Sequence, residues 1–257
     1  MLPYICKGEA GMKTENKNQT ASSRNTWDSL PMVDVSIDEL DKETLDIFEK
    51  RSREKDCRYG MSPQNSVFDT IHLTQDNFPT RAAVLTFHPF PRKWISGAFI
   101  RVLYNGNTGV TEEEINGPAL LQPERALEVI CRKYAELDIF QKEVLRELIL
   151  NAVVRKDYSS PQPVTIEITG EKDITVYNPG KLSCGITPDN LYREHLSFQR
   201  NPILAGVFSR CGMTDAWATG FHKILQYCSR SGVNPPAVQS TEKAVKAICY
   251  ASASLNL

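Results

Sequence analysis

No run of this 257-residue chain approaches the ~18 consecutive apolar residues of a membrane-spanning helix, and no basic-then-apolar leader is readable at its start. Paired cysteines are missing as well. The seven cysteines, at positions 6, 57, 131, 184, 211, 228 and 249, are odd in number and scattered, with no Cys-x-x-Cys. That spacing fits reduced thiols better than a disulfide frame or a zinc site, so a soluble, cytoplasmic protein is expected. The four histidines (72, 88, 195, 222) lack metal-ligand spacing. A Gly-x-x-x-x-Gly-Lys-Ser/Thr phosphate loop is also absent, which excludes a translocating motor built on that loop.

An excess of one charge is lacking too. Lysine plus arginine number 30 against 31 aspartate plus glutamate, a net charge of −1. From Phe140 onward the count is 13 basic and 10 acidic, and before it 17 and 21, so the two parts carry +3 and −4. Neither has the basic footprint of a module that grips a phosphate backbone by itself. What is present is enough apolar residue, 41%, to build a core, and too little Gly and Pro (14 and 15) for a low-complexity chain. The expectation is a mixed α/β protein.

Residues 1–35 are polar and aperiodic and are expected to be flexible or an N-terminal remnant. Ser36-Ile37-Asp38-Glu39 reads as a capping box opening the first helix, which carries Ile37, Leu40, Leu45 and Phe48 on one face. A short helical stretch is read around Asn65–Leu73, then strands at AAVLTF (82–87) and AFIRVLYN (98–105), the second stopped by Asn105-Gly106-Asn107. Helices follow from Pro123 and from Phe140 to Val154. Val164-x-Ile166-x-Ile168 turns at Gly170 and returns as Ile174-x-Val176, an antiparallel hairpin. Two more helices, Pro202–Cys211 and Thr219–Ser229, are capped by Gly212 and Gly232, and a last strand spans Ala244–Tyr250. These elements divide the chain into three: 1–35, a helix-and-strand segment 36–114 packing on the core, and a domain at 115–257.

Three segments carry candidate chemistry. In RELILNAVVRKDY, starting at Arg146, Glu147, Asn151 and Arg155 fall at i, i+4 and i+8 and form a polar stripe on an apolar helix. Such a stripe either faces solvent, hydrogen-bonds within the core, or does phosphoryl chemistry: a carboxylate orienting water, an amide oxygen ligating Mg²⁺. The strand ITVYNPG (174–180) ends in a polar tip and a sharp turn. In DAWATGFHKI (215–224), Thr219 and Gly220 open a helix whose N-terminal amides can approach a phosphate.

Taken in order, these segments resemble the divergent GHKL-type (histidine-kinase-like) ATP-binding domain at the C-terminus of Schlafen/AlbA-type transcriptional regulators, often labelled RecG-like, ATP-dependent DNA helicase-related proteins. The family pattern REAxxNAxxHRDY, IxNPGxLP, RNPxIAxxF and ExxGTGIxRI is matched at Arg146–Tyr158, Ile174–Ser183, Arg200–Phe208 and Asp215–Ile224. LTQDNFPTRAAVLTF (73–87), GPALLQPERALEVI (117–130) and RNTWDSLP (24–31) are similar to upstream family segments, so the likeness runs over about 24–250. It implies a two-layer α/β sandwich with a mixed sheet, and a nucleotide-binding domain at 115–257. It implies Glu147 as a water-orienting base, Asn151 as a Mg²⁺ ligand, and Asn178 at the adenine pocket. It also implies that Gly180 gives nucleotide close backbone access, that Thr219 and Gly220 face phosphates, and that Arg200 and Asn201 belong to the ATP lid. Four positions depart from the pattern: Arg155 for His, Ala218 for Gly, Asp215 for Glu and Ser183 for Pro.

The expectation is therefore an ATP-binding regulatory module of a DNA-associated regulator, with Mg²⁺-dependent ATPase activity weak or absent. The alternative is a degenerate GHKL domain kept as a dimerisation or protein-interaction scaffold. The implied partners are ATP with Mg²⁺, and DNA only indirectly, through an AlbA-type domain missing from or separate from this chain. No membrane is implied, and a homo-oligomer is left open.

Overall fold

The computed structural model describes residues 26–58, 71–106, 109–133, 139–169, 173–182, 185–191, 199–214 and 220–250. A small two-stranded ribbon joins β1 (Thr74–Gln75) to β2 (Phe78–Pro79). The centre of the protein is a separate six-stranded mixed sheet. Its strands are β3 (Ile100–Gly106), β4 (Gly109–Ile115), β5 (Val164–Thr169), β6 (Ile174–Pro179), β7 (Ala237–Ser240) and β8 (Ala244–Cys249). They lie in the order β4-β3-β5-β6-β8-β7. Only β3 and β5 run parallel, with Ile100 opposite Val164; every other pairing is antiparallel. A parallel pair needs a crossover. Here it is made by the helices that follow β4, α3 (Gln122–Lys133) and α4 (Ile139–Arg155). Helices α3, α4 and α6 (Gly220–Ser231) lie in contact on one face of the sheet, giving the expected two-layer α/β sandwich with a mixed sheet. The expected hairpin is β5–β6, in register from Thr165↔Tyr177 to Ile168↔Ile174.

Helix α4 is central because it is apolar nearly all round: Val144, Leu145, Leu148, Ile149, Leu150, Ala152, Val153 and Val154 are all buried. Its neighbours are Ile166, Val176 and Ala247, the helix-facing residues of adjacent strands, which the pairing register places side by side. The C-caps hold: Gly212 and Gly232 have φ of +67° and +68°. After α5 (Pro202–Arg210) Met213 N–H returns to the Phe208 carbonyl, and after α6 Val233 N–H returns to that of Cys228.

Four expectations need correction. The run 82–87 is a helix, α2 (Arg81–Phe87), not a strand. All six of its residues from Ala82 are buried, so the run carries no polar periodicity to tell helix from strand. The capping box at Ser36 exists but closes a single 3-10 turn, Ile37–Glu39, and α1 (Lys42–Arg58) begins later. There the Asp41 carboxylate accepts the Thr44 N–H at 2.9 Å. Residues 26–35 are built into the protein: Trp27 stacks on Tyr158, and Asp28 and Val35 are buried. Strands β4 and β7 have no counterpart among the expected elements. Residues 1–25, most of the stretch Asn65–Leu73, Gly170 and the 215–219 end of the last motif lie outside the described residues.

Lys156, just past α4, is 1% exposed. Its ammonium donates to the carbonyls of Asp157 (2.9 Å) and Ser160 (3.0 Å), beside the Tyr158 ring. Gly97 leaves room for it, since a Cβ there would stand 2.9 Å from Nζ and 2.7 Å from the Ser160 carbonyl oxygen. Desolvation brings the amine down to about 8, with Asp157 opposing the shift. An unfolded lysine titrates near 10.4, so between about pH 8 and 10.4 the unfolded chain holds more protons and stability rises with pH. Urea unfolding of the wild type and Lys156→Met at pH 7 and pH 10 is expected to show this. The wild type should gain relative to the variant by on the order of 3 kcal/mol at most. An unchanged difference would contradict the assignment.

Candidate functional site

Between α4 and the helix-facing side of β6 and β8 lies an open cleft of roughly 840 Å³, counting the part continuous with solvent. Leu148 and Ala152 of α4, Val176 of β6, Val245 and Ala247 of β8, and Ile186, Leu191 and Phe221 form its apolar walls. Among them stand three cations, Arg155, Lys181 and Arg200, and two amides, Asn151 and Asn178.

The polar stripe of α4 is not a solvated face. Glu147 is 6% exposed, and the Asn151 amide donates to both its backbone carbonyl (2.9 Å) and its Oε1 (3.0 Å). Asn151 lines the cleft, and both of its bonds to Glu147 use Nδ2, so neither engages its Oδ1. One turn on, Arg155 lines the same cleft. Burial draws its guanidinium below the usual range, and the Glu147 carboxylate pulls the other way.

Asn178 sits near the end of β6, paired with Val245, and its Oδ1 is buried with no hydrogen-bond partner among the described residues. A buried amide oxygen without a donor costs on the order of 1–3 kcal/mol, and Asn178 is one of the residues that line the cleft. Arg200 is held by two bonds, Nη1 to Asp157 Oδ2 (3.2 Å) and Nη2 to the Lys181 carbonyl (2.9 Å), with its side chain about one-third exposed.

The remaining candidates divide. Gly180, with φ of +110°, turns toward Asp157 and not into the cleft: a Cβ there would meet Asp157 Cβ at 2.9 Å. It makes a tight backbone crossing against the Asp157–Arg200 pair and is not among the residues that line the cleft. Asn201 is 1% exposed and does not line the cleft. Its amide donates to the Val154 and Lys156 carbonyls, which braces the end of α4. Gly220 is the first residue of α6, and Thr219 lies outside the described residues. Sequence reading passes over Lys181, which directly follows the Asn-Pro-Gly turn, and Phe221, which opens α6.

The metal requirement can be tested on these atoms. Asn151 Oδ1 is a neutral oxygen that fits a Mg²⁺ ligand, with the remaining positions left to phosphate and water. No group of three or more His, Cys, Asp or Glu side chains lies together among the described residues, so a cage built wholly of protein is not present there.

Residues 162–249 match a known family. Its model is described as "Putative ATP-dependent DNA helicase recG C-terminal". This part of the chain is thus similar to an ATPase-like domain associated with RecG-type proteins. The match includes Asn178, Lys181 and Arg200 but not the α4 stripe, which lies upstream of it. The fold is shared with the DIP2311 protein of Corynebacterium diphtheriae, with a TM-score of 0.70 at 16% identity. That alignment covers 92% of this chain and 49% of the other, so the chain spans about half the length of that protein. No curated protein matches the sequence. Among the described residues no helix is long and apolar enough to cross a membrane.

Proposed function

We propose that the cleft binds ATP and that the chain serves as a nucleotide-responsive regulatory module of a DNA-associated, RecG-like helicase-related regulator. The single observation that carries this reading is the buried, unpartnered Oδ1 of Asn178 in a cleft with apolar walls and three cations. An adenine presents a flat apolar face with an exocyclic amino donor, and a triphosphate presents up to four negative charges. The apolar walls suit the ring, Asn178 Oδ1 suits the amino group, and Arg155, Lys181 and Arg200 suit the phosphates.

Hydrolysis is weak or absent in this reading. Glu147 would be the base for an attacking water, yet its Oε1 already accepts the Asn151 amide and its charge is offset by Arg155. Asn151 Oδ1 would hold Mg²⁺, which when bound screens phosphate charge.

Calorimetric titration with a non-hydrolysable ATP analogue tests the reading. Asn178→Ala is expected to weaken binding about tenfold, because one well-made buried hydrogen bond is worth roughly 1–1.5 kcal/mol and 1.4 kcal/mol is tenfold. Glu147→Gln should leave affinity for the analogue within a few-fold and, in a separate assay with ATP itself, remove any phosphate release. No binding heat in the wild type would favour the scaffold alternative.

A further inference from the structure

His88 ends α2, its N–H returning to the Val84 carbonyl at 3.0 Å, and opens the turn His88-Pro89-Phe90-Pro91. It is 4% exposed, and neither it nor Glu39, Phe90, Lys93 or Trp94 lines the cleft. Both of its ring nitrogens meet N–H groups. Nδ1 accepts the Phe90 N–H at 2.9 Å, and Nε2 stands 3.3 Å from the Trp94 indole nitrogen, the two rings packed edge to face. A neutral imidazole has one free lone pair, so the shorter contact places it on Nδ1 and the ring proton on Nε2. A second proton would take the lone pair that the Phe90 N–H uses and set N–H against N–H on both sides of the ring. An acceptor stands on the neighbouring 3-10 turn: Glu39 Oε2 is 3.9 Å from Nε2, while its Oε1 accepts the Ser36 N–H. Two charged groups act on the ring, Glu39 in favour of a proton and Lys93, stacked over Trp94, against it. Burial outweighs both and draws the ring below the ordinary histidine value of 6.5.

We propose that His88 is a proton-operated latch on the turn 88–94, separate from the nucleotide cleft. Neutral, it holds the Phe90 backbone and fixes an aromatic that is 70% exposed between two prolines. When it takes a proton from solvent, it releases the Phe90 N–H and pairs with Glu39, and the turn that carries Phe90 loosens. The device couples acidification to the presentation of that exposed ring. The unfolded ring titrates near 6.5 and the folded one lower, so the latch stabilises the fold fully above pH 6.5. That contribution is lost as pH falls from there toward the folded value.

The test is an NMR titration of the whole chain, with isotope-labelled histidine and backbone amides, from about pH 7.5 downward. His88 is expected to carry its proton on Nε2 at neutral pH and to take the second one below 6.5, with the Phe90 amide signal moving at the same midpoint. Glu39→Gln, which keeps an oxygen for the Ser36 N–H, should lower that midpoint, and Lys93→Met should raise it. His88→Asn puts an amide oxygen in the place of Nδ1 and does not titrate, so its Phe90 signal should hold its neutral-pH position throughout. A midpoint at or above 6.5, one unmoved by both charge variants, or a Phe90 amide that does not follow it overturns the latch. So does unfolding of the whole chain before His88 is protonated, because no folded, open state would then exist. Where His88→Asn does not fold, the wild type and the two charge variants decide the question.

Discussion

Asp28→Ala is expected to remove roughly 2–4 kcal/mol of stability, far more than a substitution near the start of an aperiodic segment would suggest. The carboxylate is fully buried, and its Oδ2 accepts the N–H groups of Ile203 (2.8 Å) and Leu204 (3.0 Å). These are orphan donors of the first turn of α5, whose own N-cap, Asn201, offers them no side-chain oxygen. Its Oδ1 accepts the Thr26 hydroxyl at 2.6 Å. Burial pushes the carboxyl above the usual range despite these donors, so its net worth is less than the bond count suggests. Alanine strands two buried N–H groups. An asparagine keeps one side-chain oxygen for both, so Asp28→Asn should lose less than half as much. Equilibrium urea unfolding of both variants measures this, and equal losses would contradict the capping role.

Gly180→Ala is expected to cost about 2–4 kcal/mol and also to weaken ligand binding from a position outside the cleft lining. At φ of +110° a side chain is strained whatever the space, and the added Cβ would meet Asp157 Cβ at 2.9 Å and its backbone N at 3.3 Å. Asp157 cannot yield freely, because its N–H donates to the Pro179 carbonyl and its Oδ1 accepts from Ser159. Displacing it shifts the partner of Arg200, whose Cζ is itself 3.4 Å from the added carbon. Chemical denaturation gives the first effect and nucleotide titration the second. A variant as stable as wild type would show that the turn relaxes.

Legibility follows the strength of the local pattern. The β5–β6 hairpin alternates apolar and polar residues with period two and is readable. So are α4 and α5, where apolar faces or an N-terminal Pro mark the element. Helix α2 is not, because a run buried on every side gives neither period. Its real marker is Thr80, whose hydroxyl accepts the Ala83 N–H and donates to the Leu73 carbonyl. Strand β4 escapes because GVTEEEI is exposed along almost its whole length and rich in glutamate, a poor strand former. It is held by partners the local pattern does not reveal: Arg101 on Glu112, Arg92 on Glu114. The ordering of residues 26–35 depends on Asp28 reaching a helix some 175 residues away, which no window can show.

The site is legible as chemistry before it is legible as geometry. The spacing of Glu147, Asn151 and Arg155 gives a shared face, and the structure brings Asn151, Arg155, Asn178 and Arg200 to one cleft. Spacing cannot say which polar residues of those motifs brace the backbone. Asn201 and Gly180 sit in the same motifs as cleft residues, yet their contacts are with the end of α4 and with Asp157. Burial separates the two roles, and burial is a property of the whole fold.

A crystal structure of the chain with a non-hydrolysable ATP analogue would test the central claim most directly. The account predicts the adenine amino group within hydrogen-bond distance of Asn178 Oδ1, the ring between α4 and the β6–β8 face, and phosphate oxygens on the Arg155 guanidinium. An analogue bound elsewhere on the molecule, or a cleft still empty at saturating concentration, would contradict it.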